Sequence, residues 1–329
     1  MKNYKEFHNN TTIIQKLKKV LIFLGFKKLI SKLISMILFV ILKSKNSFLR
    51  SVVFDFSKNI SDIIFYKNKY GERFCLFTND NIISKQIFIS EEFDLGKFYK
   101  VINFLNVSKK IENLYDIGAN IGTICIPAVK RNLVKKAYAV EPVRKNFDLL
   151  KINIMLNDLK DRIDTFNYAL SSEDDKNLVI ELAHGNSGDH RVRLENLESN
   201  LYNEKSRQLE KVKSKKFDSL FKNLSKDKDL VWMDTQGFEP LILDGAKNLI
   251  DKEVPIVIEF WPYGLKRNNL WDHMRKIIEK YKYYADLSYN EIILKKINQE
   301  SLDDLFSNWD EEKKDKTALF TDLLLLHNN

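Results

Sequence analysis

From residue 60 onward the chain alternates short apolar blocks with longer amphipathic ones. Residues 60–66 and 73–77 are β-like runs around Lys67-Asn68-Lys69-Tyr70-Gly71, which predicts a hairpin. Phe93, Leu95, Phe98, Val101, Ile102 and Leu105 carry helical spacing over residues 92–106. A short strand follows at residues 113–116, then a glycine loop and a helix through Lys130. Residues 137–140 predict a second strand and 143–157 a helix, with a third strand at 166–170. The alternation resumes with strands at 230–233 and 255–260, helices at 240–250 and 271–281, and an apolar run within 317–327 suited to a buried final strand.

Strands alternating with helices predict an α/β, Rossmann-like fold, with a mostly parallel sheet covered by helices on both faces. One stretch breaks the pattern. Residues 176–216 begin with a strand at 178–182, pass through His184-Gly185-Asn186-Ser187-Gly188-Asp189-His190, and continue as a charged segment without clear period. It reads as an insertion near the active site, partly a β-hairpin and partly mobile. The organisation expected is an arm over residues 1–55, a hairpin and helix over 56–110 leading into the core, and a main domain over 111–329.

Composition changes this picture at the N-terminus. Residues 1–50 hold eleven basic residues against one acid, Glu6, whereas the remainder holds 43 against 44. The body is therefore neutral, which argues against a nucleic-acid partner. Residues 13–42 are rich in Leu, Ile and Phe with interspersed lysines, and Lys28, Ser31, Lys32 and Ser35 make one polar stripe at helical spacing. Two readings stand side by side: a basic amphipathic helix on an anionic membrane surface, or helices packed on the domain or a second subunit. A spanning helix or a signal peptide fits less well, since the uninterrupted apolar run is short and no small-residue cleavage site follows it. Two cysteines, Cys75 and Cys125, are too few for a disulfide framework or a thiolate zinc site. They fit a reducing compartment, and the location expected is cytoplasmic, either free or peripheral at a membrane. A homo-oligomer stays open.

In open α/β sheets, ligands bind beyond the carboxyl ends of the strands. Asp116, Glu141 and Asp234 sit at three such ends. In the loop Asp116-Ile117-Gly118-Ala119-Asn120-Ile121-Gly122, the two glycines mark a tight turn and close approach to a ligand. Glu141 follows 25 residues later, about one βαβ step on, where a carboxylate accepts from ribose hydroxyls. A diphosphate cradle wants G-x-G-x-x-G, but an anion at the first position favours a cationic ligand, its ammonium pairing with Asp116.

These segments resemble the FkbM family of S-adenosylmethionine-dependent methyltransferases over about residues 81–262. The loop from Asp116 to Gly122 is similar to the family's cofactor loop, and Val140-Glu141-Pro142 to its ribose-binding strand end. Met233-Asp234-Thr235-Gln236-Gly237-Phe238-Glu239 with Leu243-Asp244-Gly245-Ala246 resembles its D-x-E-G-x-E…L-x-G-A signature, and residues 255–259 its next strand. Gln236 departs from the pattern, standing where a Glu is common; an amide cannot act as a base. The resemblance implies a class I methyltransferase fold, S-adenosylmethionine as cofactor, and most often O-methylation. The cofactor set it implies is Asp116, Gly118, Asn120, Gly122, Glu141, Pro142 and Ala169.

A hydroxyl acceptor must lose a proton, so a general base is expected. Asp234 is the first candidate, with Glu239 and Glu259 after it; Glu239 has a competing role at a helix N-terminus. His190 suits proton abstraction, against the plainer reading of a solvated surface histidine. Asn186 and Gly188 resemble an N-x-G element of the family. Trp261, Pro262 and Tyr263 either wall the acceptor pocket or pack in the core. No metal site is expected. The acceptor is a hydroxyl on a glycan, glycolipid or small metabolite. Two alternatives are kept: an inactive cofactor-binding scaffold at a membrane, and an NAD-dependent oxidoreductase, which Asp116 and the missing third glycine disfavour.

Overall fold

The computed structural model describes residues 24–25, 27–33, 35–36, 46–108, 110–194, 204–310 and 319–328. The chain divides into two compact units, Met1–Ile60 and Ser61–Asn329. The first contains helical residues within 24–36 and helix α1 (Ser47–Ser57), whose N-cap Asn46 accepts from the Leu49 amide.

The second unit opens with the hairpin β1 (Ile63–Lys67) and β2 (Arg73–Phe77), followed by α2 (Ile83–Ser90) and α3 (Leu95–Leu105). Sheet strands and helices then alternate: β3 (Asn113–Ile117), α4 (Cys125–Lys130), β4 (Lys136–Val140), α5 (Arg144–Leu156) and β5 (Ile163–Phe166). A second, smaller sheet holds β6 (Ala169–Leu170), β7 (Asn177–Leu182), β8 (Arg191–Val192) and β9 (Gln208–Lys215). Next come α6 (Phe217–Leu220), β10 (Asp229–Met233), α7 (Glu239–Asp244), α8 (Lys247–Asp251) and β11 (Ile256–Phe260). The chain closes with α9 (Pro262–Arg267), α10 (Trp271–Ile278), β12 (Tyr283–Asp286), β13 (Lys295–Lys296), α11 (Gln299–Trp309) and β14 (Thr321–Leu326).

The main sheet has the order β13-β12-β14-β11-β10-β3-β4-β5. Strands β5, β4, β3, β10 and β11 run parallel, and β14 runs antiparallel between β11 and β12. This is a doubly wound α/β sheet, as the alternation of elements predicted, with the order reversing between β3 and β10. Its parallel strands are apolar on both faces; every residue of β10, β11 and β14 is buried. In β14, Leu323 and Leu325 join the cluster of Tyr115, Val231, Ile258 and Phe260, while Leu324 and Leu326 point to the opposite face.

Two expectations change, and residues 61–110 share the unit of the sheet. Arg131 forks onto Glu72 at 2.5 and 2.8 Å, and Asn153 accepts from the Cys75 amide at 2.6 Å, so the hairpin is bonded to α4 and α5. The strand expected over 166–170 splits between the two sheets, β5 ending at Phe166 and β6 starting at Ala169. The helix expected over 240–250 breaks after Asp244, because the Gly245 carbonyl accepts from the Asp218 amide instead of continuing the helical ladder.

The charged part of the insertion falls partly on residues 195–203, outside the described residues. Its described flanks are well bonded. Arg267 meets Glu181 at 2.8 and 3.0 Å, Arg191 meets Glu204 at 3.0 Å, and the Tyr263 hydroxyl donates to Glu204 at 2.8 Å. This buried network fixes the small sheet to α9. Removing one partner from such a network strands the other charge.

Leu324 is fully buried, so Leu324→Ala is expected to cost about 3 kcal/mol in denaturant unfolding. The half-exposed Leu209→Ala serves as control and is expected to change stability little.

Candidate functional site

A cavity of about 760 Å³, counting its open mouth, lies at the carboxyl ends of β3, β4 and β10. Three loops meet there. In the first, Gly118 has a φ of +85°, and a Cβ on it would lie 2.0 Å from the Asp234 carbonyl oxygen. Only glycine fits that backbone and that distance. Asn120, with φ at +51°, donates its backbone N–H to Glu141 Oε2 at 2.9 Å and its Nδ2 to the Ser187 carbonyl at 2.7 Å.

Glu141, at the end of β4, takes its second backbone bond from Val143, again at 2.9 Å. Burial pushes its carboxyl up to about 7, opposed by these two amides. Each oxygen keeps a lone pair for a donor in the cavity. Pro142, Val143, Tyr168, Ala169 and Leu170 form the neighbouring wall.

At the end of β10, Asp234 also lines the cavity. Its side chain is exposed on the cavity side. Desolvation, followed by the charges of Asp322 and Glu239, raises its carboxyl above the ordinary carboxylate range. Gln236, with φ at +58°, donates the same amide nitrogen to Asp234 Oδ1 and Glu259 Oε1, each at 2.9 Å. An acid in its place would set three carboxyls together; the amide supplies the two N–H groups that the flanking acids need. Nearby, Lys97 holds Asp322 at 2.6 Å and Asp94 at 2.9 Å.

Most of the expected residues converge on this cavity: Gly118, Asn120, Glu141, Pro142, Ala169, Asp234 and His190 all line it. Four expectations need correction. The Asp116 carboxylate is buried, accepts from the Cys125 amide at 3.1 Å and is not in the cavity lining, so it anchors α4. Gly122 turns the loop behind the wall, packed on Ile126. Glu239 spends Oε1 on the Thr235 amide and hydroxyl, at 2.8 and 2.9 Å, which places it at the start of α7 and outside the lining.

His190 is the fourth. Its Nδ1 accepts from the Ala183 amide at 3.0 Å, so in the neutral ring the proton sits on Nε2. Burial, against the pull of Asp189, lowers its pKa to about 4. A ring in that state is a hydrogen-bond donor, and no lone pair remains for a base. Trp261, Pro262 and Tyr263 do not line the cavity; Trp261 stacks on the Arg191 guanidinium, 4.3 Å from its centre.

Several lining residues were not among the expected site residues: Ile83, Phe93, Thr123, Asn146 and Tyr168. A further brace lies before α2. Asp80 accepts from the Ile82, Ile83 and Ser84 amides and also from the Ser187 hydroxyl at 2.7 Å, tying the insertion loop to α2. Among the described residues, no cluster of three or more His, Cys, Asp or Glu is arranged to hold a metal ion.

A family profile described as the methyltransferase FkbM domain matches residues 116–284, just over half of the chain. The chain belongs to the FkbM methyltransferase family. The cofactor of this family is S-adenosylmethionine, and its ribose, ammonium and carboxylate need the kind of acceptors and backbone donors that line this cavity. No curated protein matches the chain. Among solved structures, TYW2 of M. jannaschii in complex with AdoMet is 14% identical, with 80% of this chain and 84% of that one covered at a TM-score of 0.37. The tRNA m1G37 methyltransferase of M. jannaschii is 13% identical, with 82% and 58% covered at 0.38. Both stand too far from this FkbM chain to bear on its chemistry.

The buried acids give the FkbM domain a pH signature. Glu141 keeps its proton in the folded state to about pH 7, well above the ordinary carboxyl range that governs the unfolded chain. Its contribution to stability is complete below about pH 4 and is lost as pH rises through 7. His190 acts oppositely, but only as pH falls from 6.5 toward 4. Melting temperature is therefore expected to fall between pH 6.5 and 8, and Glu141→Gln to flatten that slope.

Proposed function

We propose that the protein is an O-methyltransferase, moving the methyl group of S-adenosylmethionine to a hydroxyl on a glycan, glycolipid or small metabolite, with Asp234 as the general base. The observation that carries this reading is the state of Asp234. It faces the cavity, one carboxylate oxygen is held by Gln236, and among the described residues the other makes no hydrogen bond. Its carboxyl, raised toward the neutral range, suits proton transfer near physiological pH.

In this reading Gly118, Asn120, Glu141, Pro142 and Ala169 hold the cofactor, joined by Thr123 and Tyr168 from the same lining. Glu141 accepts from the ribose hydroxyls with the lone pairs its two amide bonds leave free. Bound there, S-adenosylmethionine supplies an electrophilic methyl group on a positively charged sulfur. Asp234 would take the proton that the acceptor hydroxyl gives up as the methyl group leaves sulfur, now a neutral thioether, for its oxygen, and Gln236 keeps the Asp234 carboxylate turned to the cavity. Neutral His190 donates to whatever lone pair lies beside it. Ile83 and Phe93 close the apolar side and keep water out.

The balanced charge of residues 51–329 favours a neutral acceptor over a nucleic acid. Cys75 and Cys125 are both free thiols, in keeping with a cytoplasmic location.

Glycan, lipid and metabolite extracts incubated with methyl-labelled cofactor provide the test. Wild type is expected to label a hydroxyl-bearing product. Asp234→Asn is expected to lose about 10²–10⁴-fold in turnover, with calorimetric affinity for the cofactor unchanged. Wild-type turnover by Asp234→Asn would remove the base from the mechanism.

A further inference from the structure

The described residues of the N-terminal arm carry a surface of their own. Residues 24–25, 27–33 and 35–36 are helical. Along that helix Leu29, Ile30, Leu33 and Met36 are exposed by 55, 40, 45 and 59%. At 100° per residue these four fall within an arc of about 120°. Lys27, Lys28, Ser31, Lys32 and Ser35 fall on the opposite arc; Leu24, also exposed, lies among them. Apolar side chains gathered on one face and open to solvent mark a surface that is covered by something.

Charge decides what covers it. Residues 1–50 carry eleven basic residues and a single acid, while the rest of the chain is neutral. Two such arms brought face to face would repel, whereas an anionic surface attracts each of them. Among the described residues no helix is long and apolar enough to cross a membrane. A helix with lysines flanking an exposed apolar face suits the plane of the headgroups.

We infer that this helix docks the protein onto an anionic lipid bilayer, with Leu29, Ile30, Leu33 and Met36 entering the acyl boundary and the lysines meeting the phosphate headgroups. The docking is independent of which acceptor the enzyme methylates. It selects membranes by charge, because the lysines bring the apolar face to an anionic surface. Salt weakens it, since a Debye length of about 10 Å at 0.1 M screens lysines above the headgroups.

The test is co-sedimentation of the full-length protein with vesicles of phosphatidylcholine alone or of phosphatidylcholine with phosphatidylglycerol. Binding is expected only to the anionic vesicles, and roughly tenfold weaker at high salt. The double variants Leu33→Asp/Met36→Asp and Lys28→Glu/Lys32→Glu are each expected to abolish it. Both are expected to keep the wild-type melting temperature and cofactor affinity, which separates lost docking from lost folding. Three results would overturn the inference: no binding to anionic vesicles, equal binding to both kinds, or a wild-type dimer that the Leu33→Asp/Met36→Asp variant converts to monomer.

Discussion

Two loops meet at the centre of the sheet with no room between them. Gly118 follows β3 and Asp234 follows β10, and the Asp234 carbonyl lies where a Cβ on Gly118 would stand. The Asp234 amide donates to the Ile117 carbonyl at 3.0 Å, so the two strand ends are also bonded to each other. This contact sits where the strand order reverses, and the crevice opens there. Everything in the site is built outward from it. The cofactor loop cannot shift without moving Asp234, and Asp234 cannot turn without moving Gln236.

From that contact, two chains of hydrogen bonds hold the walls. One runs from Asn120 to Glu141 and Val143 on the β4 side, and from Asn120 to Ser187 and Asp80 on the insertion side. The other runs from Asp234 through Gln236 to Glu259. Burial raises Asp234, Glu239, Glu259 and Asp322 here, and the charges of Glu239 and Asp322 raise Asp234 and Glu259 further. Such a group titrates together and favours its neutral forms. Backbone amides, the Gln236 amide and Lys97 are what the protein sets against that charge. Gln236 thus replaces a common acid of the family by the one residue type of similar shape that donates to both neighbours.

The sheet was legible in the sequence because parallel strands buried on both faces read as apolar runs, and because the helices between them carry their own period. Glycine spacing and the acids at strand ends located the cavity, and the later D-x-x-G-x-E segment located Asp234. What failed to show was how each acid spends its lone pairs. Asp116 and Glu239 lie in the same motifs as Gly118 and Asp234, yet local amides claim their carboxylates. His190 looked like a base until the Ala183 amide was seen on Nδ1. Ile83 and Phe93 reach the cavity from the segment before β3, through long-range packing that no local pattern encodes. Residues 13–42 were readable as a basic amphipathic stretch, and the exposed face of the helical residues within 24–36 is the part that only coordinates reveal.

The central claim is that one cavity, built around the Gly118–Asp234 contact, receives S-adenosylmethionine. Hydrogen–deuterium exchange of the folded protein with and without S-adenosylhomocysteine addresses it directly. Slowed exchange is expected at residues 118–123, 140–146, 168–170 and 187–190, with the helical arm unchanged. Binding that protects none of these segments, or saturating cofactor that protects nothing, would contradict the account.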